Sequence, residues 1–294
     1  MDKQILITGV STGLGHQLAS DFIKKGYKVY GSVRKSEDAV ALIKSFGRSF
    51  HPLTFDVTDH KAIDDAAFEL GEILNGKPLA GLINNAGIAI AGPLLHVPIE
   101  QFKHQMDVNV IGLVKVTQAF APLLGANVDY LHPPGRIIQI GSVSGKIAMP
   151  FVGPYAASKY ALEAISTSLR RELIGYGIDV ILIGSGAIKT PIWNKSTSEV
   201  ASAYSNTPYG NILASFNRKF VQSAIHTALS TEFVSENIVR IFESKHPKTR
   251  YTFIQKRLTN WILPRLLPDR FLDRFLAKTT GLIKIKEQNF SKNP

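Results

Sequence analysis

The sequence predicts an α/β protein built on one parallel β-sheet, doubly wound, with helices on both faces. Two observations carry this. Short apolar runs recur at 4–7, 28–33, 49–55, 79–84, 135–140 and 178–183, each the length of a strand buried on both sides. Longer stretches with helical spacing lie between them, at 14–25, 61–74, 102–124 and 155–176. Strands alternating with helices form βαβ units, and their right-handed crossovers wind helices onto both faces. Ligands of such sheets bind beyond the carboxyl ends of the strands, near the point where strand order reverses. Every chemical motif described below falls at such an end or on the helix after it.

The first run, Ile5-Leu6-Ile7, follows Met1-Asp2-Lys3-Gln4 and is closed by Thr8-Gly9. That is the pattern of a strand rather than a signal peptide, and no apolar run of about 18 residues occurs. The chain is therefore expected to stay where it is made, as a cytoplasmic protein. With 294 residues it fits one large domain with extensions. Residues 1–245 are expected to bind nucleotide and carry the chemistry, with 190–215 as a substrate loop. Residues 246–294 form a basic, amphipathic, helical extension of the same domain. The absence of cysteine excludes disulfides, thiolate zinc sites and cysteine nucleophiles. No metal site is expected.

After the first strand comes Thr8-Gly9-Val10-Ser11-Thr12-Gly13-Leu14-Gly15. Glycines here let the backbone turn tightly and approach a pyrophosphate, whose charge meets the N-terminus of the next helix. Turn glycines without function are common; the place between strand and helix is what raises this motif above them. The second strand ends Val33-Arg34-Lys35, where an enzyme gripping the ribose 2′-hydroxyl of NAD usually has an acid. A cation pair suits a 2′-phosphate, so NADP(H) is the expected cofactor, with NAD(H) as the alternative. Ser11 is a further candidate contact. A solvated basic loop is the plain alternative.

Tyr155-Ala156-Ala157-Ser158-Lys159 opens a helical stretch, and four residues is about one turn, so Tyr155 and Lys159 share a face. Free tyrosine, with a pKa near ~10, is a poor acid/base at neutral pH. A neighbouring ammonium is expected to lower it. Alone, the pair is commonplace. Ser142, at the end of Gly135–Ile140 and the residues after it, adds a hydroxyl able to hold a substrate oxygen. Asn84-Asn85-Ala86-Gly87 ends another strand, and Asn109 sits in an apolar helix where its amide needs a partner; core hydrogen bonding is its simpler reading.

Together these residues resemble the short-chain dehydrogenase/reductase family, over roughly residues 3–195. The likeness lies in Thr8, Gly9, Gly13 and Gly15, in Asn84–Gly87, and in Asn109, Ser142, Tyr155 and Lys159 in order. The resemblance implies a Rossmann-type sheet and a catalytic set of Asn109, Ser142, Tyr155 and Lys159. Tyr155 would be the general acid/base, Ser142 would polarise the oxygen, Lys159 would bind the nicotinamide ribose, and Asn109 would hold a water leading to Lys159. Cofactor contacts are implied at Gly9, Ser11, Thr12, Gly13, Leu14, Gly15, Arg34, Asp56, Val57, Asn85, Ala86 and Gly87, at Tyr155 and Lys159 themselves, and at Gly186, Ile188 and Thr190. Asp56 could equally be a strand-end cap. One departure is Ser185, which stands where the family usually has proline and loosens the loop after the sixth strand. The activity implied is hydride transfer between NADP(H) and a carbonyl or alcohol, without metal. A nucleotide-sensing binding protein without turnover is the competing reading, disfavoured by the complete set.

The net charge of +11 is concentrated at the end: from Lys245 onward there are twelve Lys/Arg and three Asp/Glu. Leu258, Trp261, Ile262, Leu266, Leu267, Phe271, Leu272, Phe275 and Leu276 recur there at roughly helical spacing, with Arg257, Arg265, Arg270, Arg274 and Lys278 between them. The segment resembles retinol- and hydroxysteroid-dehydrogenase-like members, which implies a lipophilic small-molecule substrate. An amphipathic stripe is ordinarily a packing face, over the cleft or against another subunit; peripheral membrane contact is the alternative. The tail holds no nucleic-acid-binding module, so no nucleic acid is expected. The long helices at 102–124 and 155–176 are apolar enough to pair in a homodimer or homotetramer.

Overall fold

The computed structural model describes residues 3–191, 198–217 and 221–282; parts of the substrate loop (192–197) and of the C-terminal extension (283–294) lie outside them. Seven strands form one all-parallel sheet: β1 (Gln4–Ile7), β2 (Lys28–Val33), β3 (Phe50–Thr54), β4 (Gly81–Asn84), β5 (Arg136–Ser142), β6 (Asp179–Ser185) and β7 (Arg250–Phe253). Their order is β3-β2-β1-β4-β5-β6-β7. The order reverses between β1 and β4, which opens a crevice beyond their carboxyl ends. This is the predicted doubly wound Rossmann-type fold.

Two apolar layers sandwich the sheet. On one face α1 (Gly13–Lys24) and α10 (Thr231–Glu243) cover Ile5, Ile7, Ile138, Ile181 and Ile183. Phe22 of α1 meets Tyr27 and Phe242 edge-on, with ring centroids 5.0 and 5.3 Å away, contacts of about 0.5–1.5 kcal/mol each beyond their burial. On the other face α3 (His60–Leu74) and a helix running from Ile99 to Leu124 cover Leu6, Leu82, Ile137 and Val180. That long helix is continuous through α4 (Ile99–Met106), a π-turn (Asp107–Gly112), α5 (Leu113–Phe120) and a final tight turn. By length and composition it could cross a membrane. Here Val116, Phe120 and Leu124 are fully buried in the core, and Lys115 pairs with Asp64 at 2.6 Å.

The structure corrects the predicted elements in three places. β7, at the edge, was not among the six expected strands; Arg250–Phe253 is only half-buried and lacks the apolar run that marks the others. α7 (Ser198–Ala203) and most of α8 (Gly210–Phe216) lie inside the expected substrate loop, and α9 (Gln222–His226) follows it. α10 was not anticipated, although Ser230 caps it by accepting from the Phe233 N–H at 3.1 Å, a common start signal.

Candidate active site

The crevice is shaped first by the turn after β1. Gly9 has φ +69°, the left-handed region that glycine adopts without strain. Its N–H donates to Ser32 Oγ at 2.9 Å. Thr8 Oγ1 accepts from the Asn85 and Ala86 N–H groups at 2.9 and 3.0 Å, and Asn85 Nδ2 donates back to the Thr8 and Gly9 carbonyls at 2.9 and 3.1 Å. The β1 and β4 turns are thus laced into one rigid edge. A side chain at Gly15 would collide with the Gly9 carbonyl and the Asn85 amide, so glycine is required there for α1 to approach. Thr12, at the start of α1, makes no side-chain capping bond, so the N–H groups of the first turn remain for an anion.

All seventeen cofactor contacts implied by the sequence line a single cleft of about 400 Å³. That volume is in the range of ligand sites. The glycine turn forms one wall, Asp56, Val57 and Ala86–Gly87 another, and Tyr155, Lys159 and Gly186–Thr190 the far end. Arg34 is exposed at the rim beyond Val33, and among the described residues neither it nor Lys35 has an ion-pair partner. Asp56 uses Oδ1 to accept from the Thr58 N–H and hydroxyl at 2.9 and 2.8 Å, so it caps its own turn while facing the cleft. The residues fit a dinucleotide: a glycine cradle, an open helix N-terminus, and a cationic rim at one end.

At the far end, α6 (Gly153–Glu172) presents Tyr155 and, one turn on, Lys159. Lys159 Nζ donates to the Ile140 carbonyl at 2.9 Å and lies 5.7 Å from the centre of the Tyr155 ring. Burial pushes the ammonium down to about 8. Burial raises the Tyr155 phenol above its ordinary value, and a hydrogen bond with Ser142 opposes that shift. The expected lowering of Tyr155 by Lys159 is therefore not the net result. Desolvation of the phenolate dominates, and the ammonium is itself desolvated. Ser142 ends β5, with its Oγ accepting from the Ser144 N–H at 3.1 Å, which holds the hydroxyl at the head of α6.

Asn109 is almost wholly buried inside the π-turn, a local widening that often marks functional positions in helices. Its Oδ1 accepts from the Ile88 N–H at 2.9 Å, and Nδ2 donates to the Ile88 carbonyl and to Ser158 Oγ, both at 3.0 Å. Ser158 Oγ in turn donates to the Tyr155 carbonyl at 2.7 Å. Asn109 thus ties the segment after β4 to the first turn of α6. Its direct partners are these groups, not Lys159.

Sequence reasoning missed Ser32 and Gln105, and read Thr8 only as part of the glycine motif. Ser32 and Thr8 hold the glycine turn. Gln105, fully buried one turn before Asn109, accepts from the Ile90 N–H at 2.7 Å and donates to the Ile88 carbonyl at 2.9 Å. Two amides four apart on one helix face were the available signal. Ser185 pairs with Ser142 and with Phe253 in the sheet, and the next N–H, of Gly186, donates to the Phe253 carbonyl at 2.7 Å. The position expected to loosen the loop is held as the last residue of β6 between two strands. Phe151, just before α6, forms a separate apolar cluster with Tyr204, Ile212, Leu213 and Phe216, joined by Leu282.

A glycine-cradled cleft that ends at a buried tyrosine–lysine pair defines a dinucleotide-dependent oxidoreductase. The sequence profile of the short chain dehydrogenase family matches residues 3–201, and the chain belongs to that family. It is 42% identical over 276 residues to the NADPH-dependent 3-dehydrocapnine reductase of Ornithobacterium rhinotracheale, covering 94% of this chain and 96% of that one. It is 30% identical to retinol dehydrogenase 16 of Homo sapiens over 85% of this chain and 80% of the relative. Among solved structures, that of ElxO with NADP bound superimposes with a TM-score of 0.70 at 21% identity, covering 88% of this chain and all (100%) of that one; this likeness speaks for the fold.

Proposed function

We propose that this oxidoreductase reduces a carbonyl on a lipophilic small molecule, with NADPH bound along the cleft and Tyr155 as general acid. The observation that carries the reading is geometric: Tyr155, hydrogen-bonded with Ser142 and one helical turn before Lys159, stands at the end of the cleft. When bound, the nicotinamide supplies the hydride to the carbonyl carbon. Tyr155 gives its proton to the oxygen, which becomes the alcohol hydroxyl. Ser142 donates to the same oxygen, and Lys159 holds a ribose hydroxyl and sets the charge beside Tyr155. Asn109 acts as a positioning residue, through Ile88 and Ser158. In the oxidation direction the proton moves the other way.

NADP(H) is preferred over NAD(H) because Arg34 lines the cleft directly after β2, with Lys35 and not an acid next in the chain. The name of the Ornithobacterium relative supports the same choice. A lipophilic substrate is supported by the apolar cluster that Phe151, which precedes α6, makes with Tyr204 and Phe216 of the segment after β6 and by the relative named for retinol. Residues 1–245 carry nucleotide and chemistry, with 190–215 as the substrate loop; 246–294 extend the same domain and return β7 to the sheet. The long helices expose Ile111 and Tyr160, a face for a homodimer or homotetramer.

The test follows NADPH absorbance over a panel of apolar aldehydes, ketones and alcohols, with NADH in parallel. Turnover of apolar carbonyls with NADPH supports the reading. Turnover confined to small polar carbonyls, or to NADH, overturns the substrate or the cofactor part respectively.

A further inference from the structure

We infer that the C-terminal helices are a docking surface for an anionic lipid bilayer. The inference goes beyond the reaction proposed above, and its deciding readout is vesicle binding.

The segment is anchored rather than trailing. The Trp261 ring is buried between the guanidinium groups of Arg250 and Arg265, 4.7 and 4.6 Å from its centre. Arg250 is fixed in turn by Glu163 of α6, at 2.7 Å. On this fixed base follow α11 (Leu263–Leu266) and α12 (Asp269–Thr280). Large apolar side chains stand outward on it: Leu258 is 61% exposed, Leu266 74%, Phe271 58% and Phe275 56%. Of the stripe expected to pack, Trp261 is buried, and Leu272 and Leu276 turn to the inner side of α12 with Thr280, one turn apart.

The geometry of α12 suits an interface between water and lipid. At 100° per residue, Phe271 and Phe275 lie side by side, and Lys278, Arg274 and Arg270 follow along one flank. Asp269 and Asp273 fall on the far side of the wheel. An apolar stripe edged by cations is the pattern of helices that lie in the headgroup region. A second copy of this chain is the poorer occupant. A two-fold contact would set the same patch against itself, bringing Arg270, Arg274 and Lys278 toward their own copies, whereas anionic headgroups supply the opposite charge. The helix also leads, through Leu282, into the apolar cluster that includes Phe151, just before α6, and Phe216. Docking would therefore set that cover against the lipid from which an apolar substrate comes.

The experiment is co-sedimentation of the full chain with phosphatidylglycerol/phosphatidylcholine vesicles and with pure phosphatidylcholine vesicles, at low and high salt. The parent is expected to bind the anionic vesicles at least tenfold more strongly, and to be released by salt. Phe271→Ala with Phe275→Ala, and separately Arg270→Ala, Arg274→Ala and Lys278→Ala combined, should each weaken binding tenfold or more. Turnover of a water-soluble carbonyl should be unchanged. No binding of the parent, or binding indifferent to both sets of substitutions, overturns the inference. So does a change in solution mass caused by the substitutions without vesicles, which makes the face a contact between protein copies.

Discussion

The ammonium of Lys159 is held by the backbone carbonyl of Ile140, 2.9 Å away, and not by a carboxylate. A carbonyl dipole offsets only part of the cost of burying the charge, which is why the ammonium falls from 10.5 to about 8. The unfolded chain keeps this proton up to about pH 10.5 and the folded chain releases it near 8. Between those values the unfolded state binds more protons, so raising the pH favours folding. The cost is fully present below pH 8, about 3 kcal/mol by the size of the shift. Lys159→Met removes the titration. The stability of the parent relative to this variant should be flat below pH 8 and rise by a few kcal/mol toward pH 10. Denaturant unfolding of both proteins across that range checks it, and parallel pH slopes would refute it. Tyr155, whose raised pKa acts in the opposite sense, is present in both proteins, so the difference between them isolates Lys159.

Tyr155→Phe removes the proton donor and leaves the ring in place. The hydroxyl contributes its proton and a hydrogen bond with Ser142, so the fold should survive. General acid catalysis is worth about 10²–10⁴ in rate, and a loss of that size in kcat is expected. The Kd for NADPH, read by quenching of protein fluorescence, should change less than about threefold, since that contact is one hydrogen bond among many. A variant that turns over at the parental rate would show that another group supplies the proton.

Arg34 stands exposed at the cleft rim without an ion-pair partner among the described residues, so its removal should cost the fold little. A charge-assisted bond to a 2′-phosphate is worth roughly 1.5–3 kcal/mol. Arg34→Ala should therefore raise the Kd of NADPH by about 10- to 100-fold and leave that of NADH nearly unchanged. Equal losses for both would place Arg34 away from the 2′-position.

The sheet was legible because its first six strands are apolar on both faces, a signal that needs no partner to be seen. β7 was not: Arg250 and Thr252 are polar, and the strand exists because β6 offers it an open edge and Glu163 fixes Arg250. The cleft was legible through glycines and through Tyr155 and Lys159, which chemistry restricts to few alternatives. What the sequence could not supply was the balance of terms at the site. Charge proximity favoured an acidic tyrosine, but burial depends on how α6 seats against β5, and in the folded chain burial prevails. The same holds for the C-terminal stripe. Its periodicity was plain, yet which of its residues face inward depends on where Trp261 is clamped.

Asn109 offers the sharpest test of how the site is supported. Its amide, almost wholly buried within the π-turn, bonds to both polar groups of Ile88 and reaches Ser158. Asn109→Ala leaves the Ile88 N–H without its partner, while the Ile88 carbonyl keeps its bond from Gln105, and a buried group left unpaired costs about 1–3 kcal/mol. A loss of roughly 1–3 kcal/mol in unfolding free energy is expected, read from the denaturant midpoint at constant m-value. Because the amide also fixes the Ser158 hydroxyl that bonds to the Tyr155 carbonyl, kcat should fall more than NADPH affinity. Asn109→Asp keeps an acceptor for the Ile88 N–H but faces the Ile88 carbonyl with a second oxygen, so it should recover only part of the stability. Full recovery with Asp, or a loss under about 0.5 kcal/mol with Ala, would mean that the segment after β4 is held by Gln105 alone.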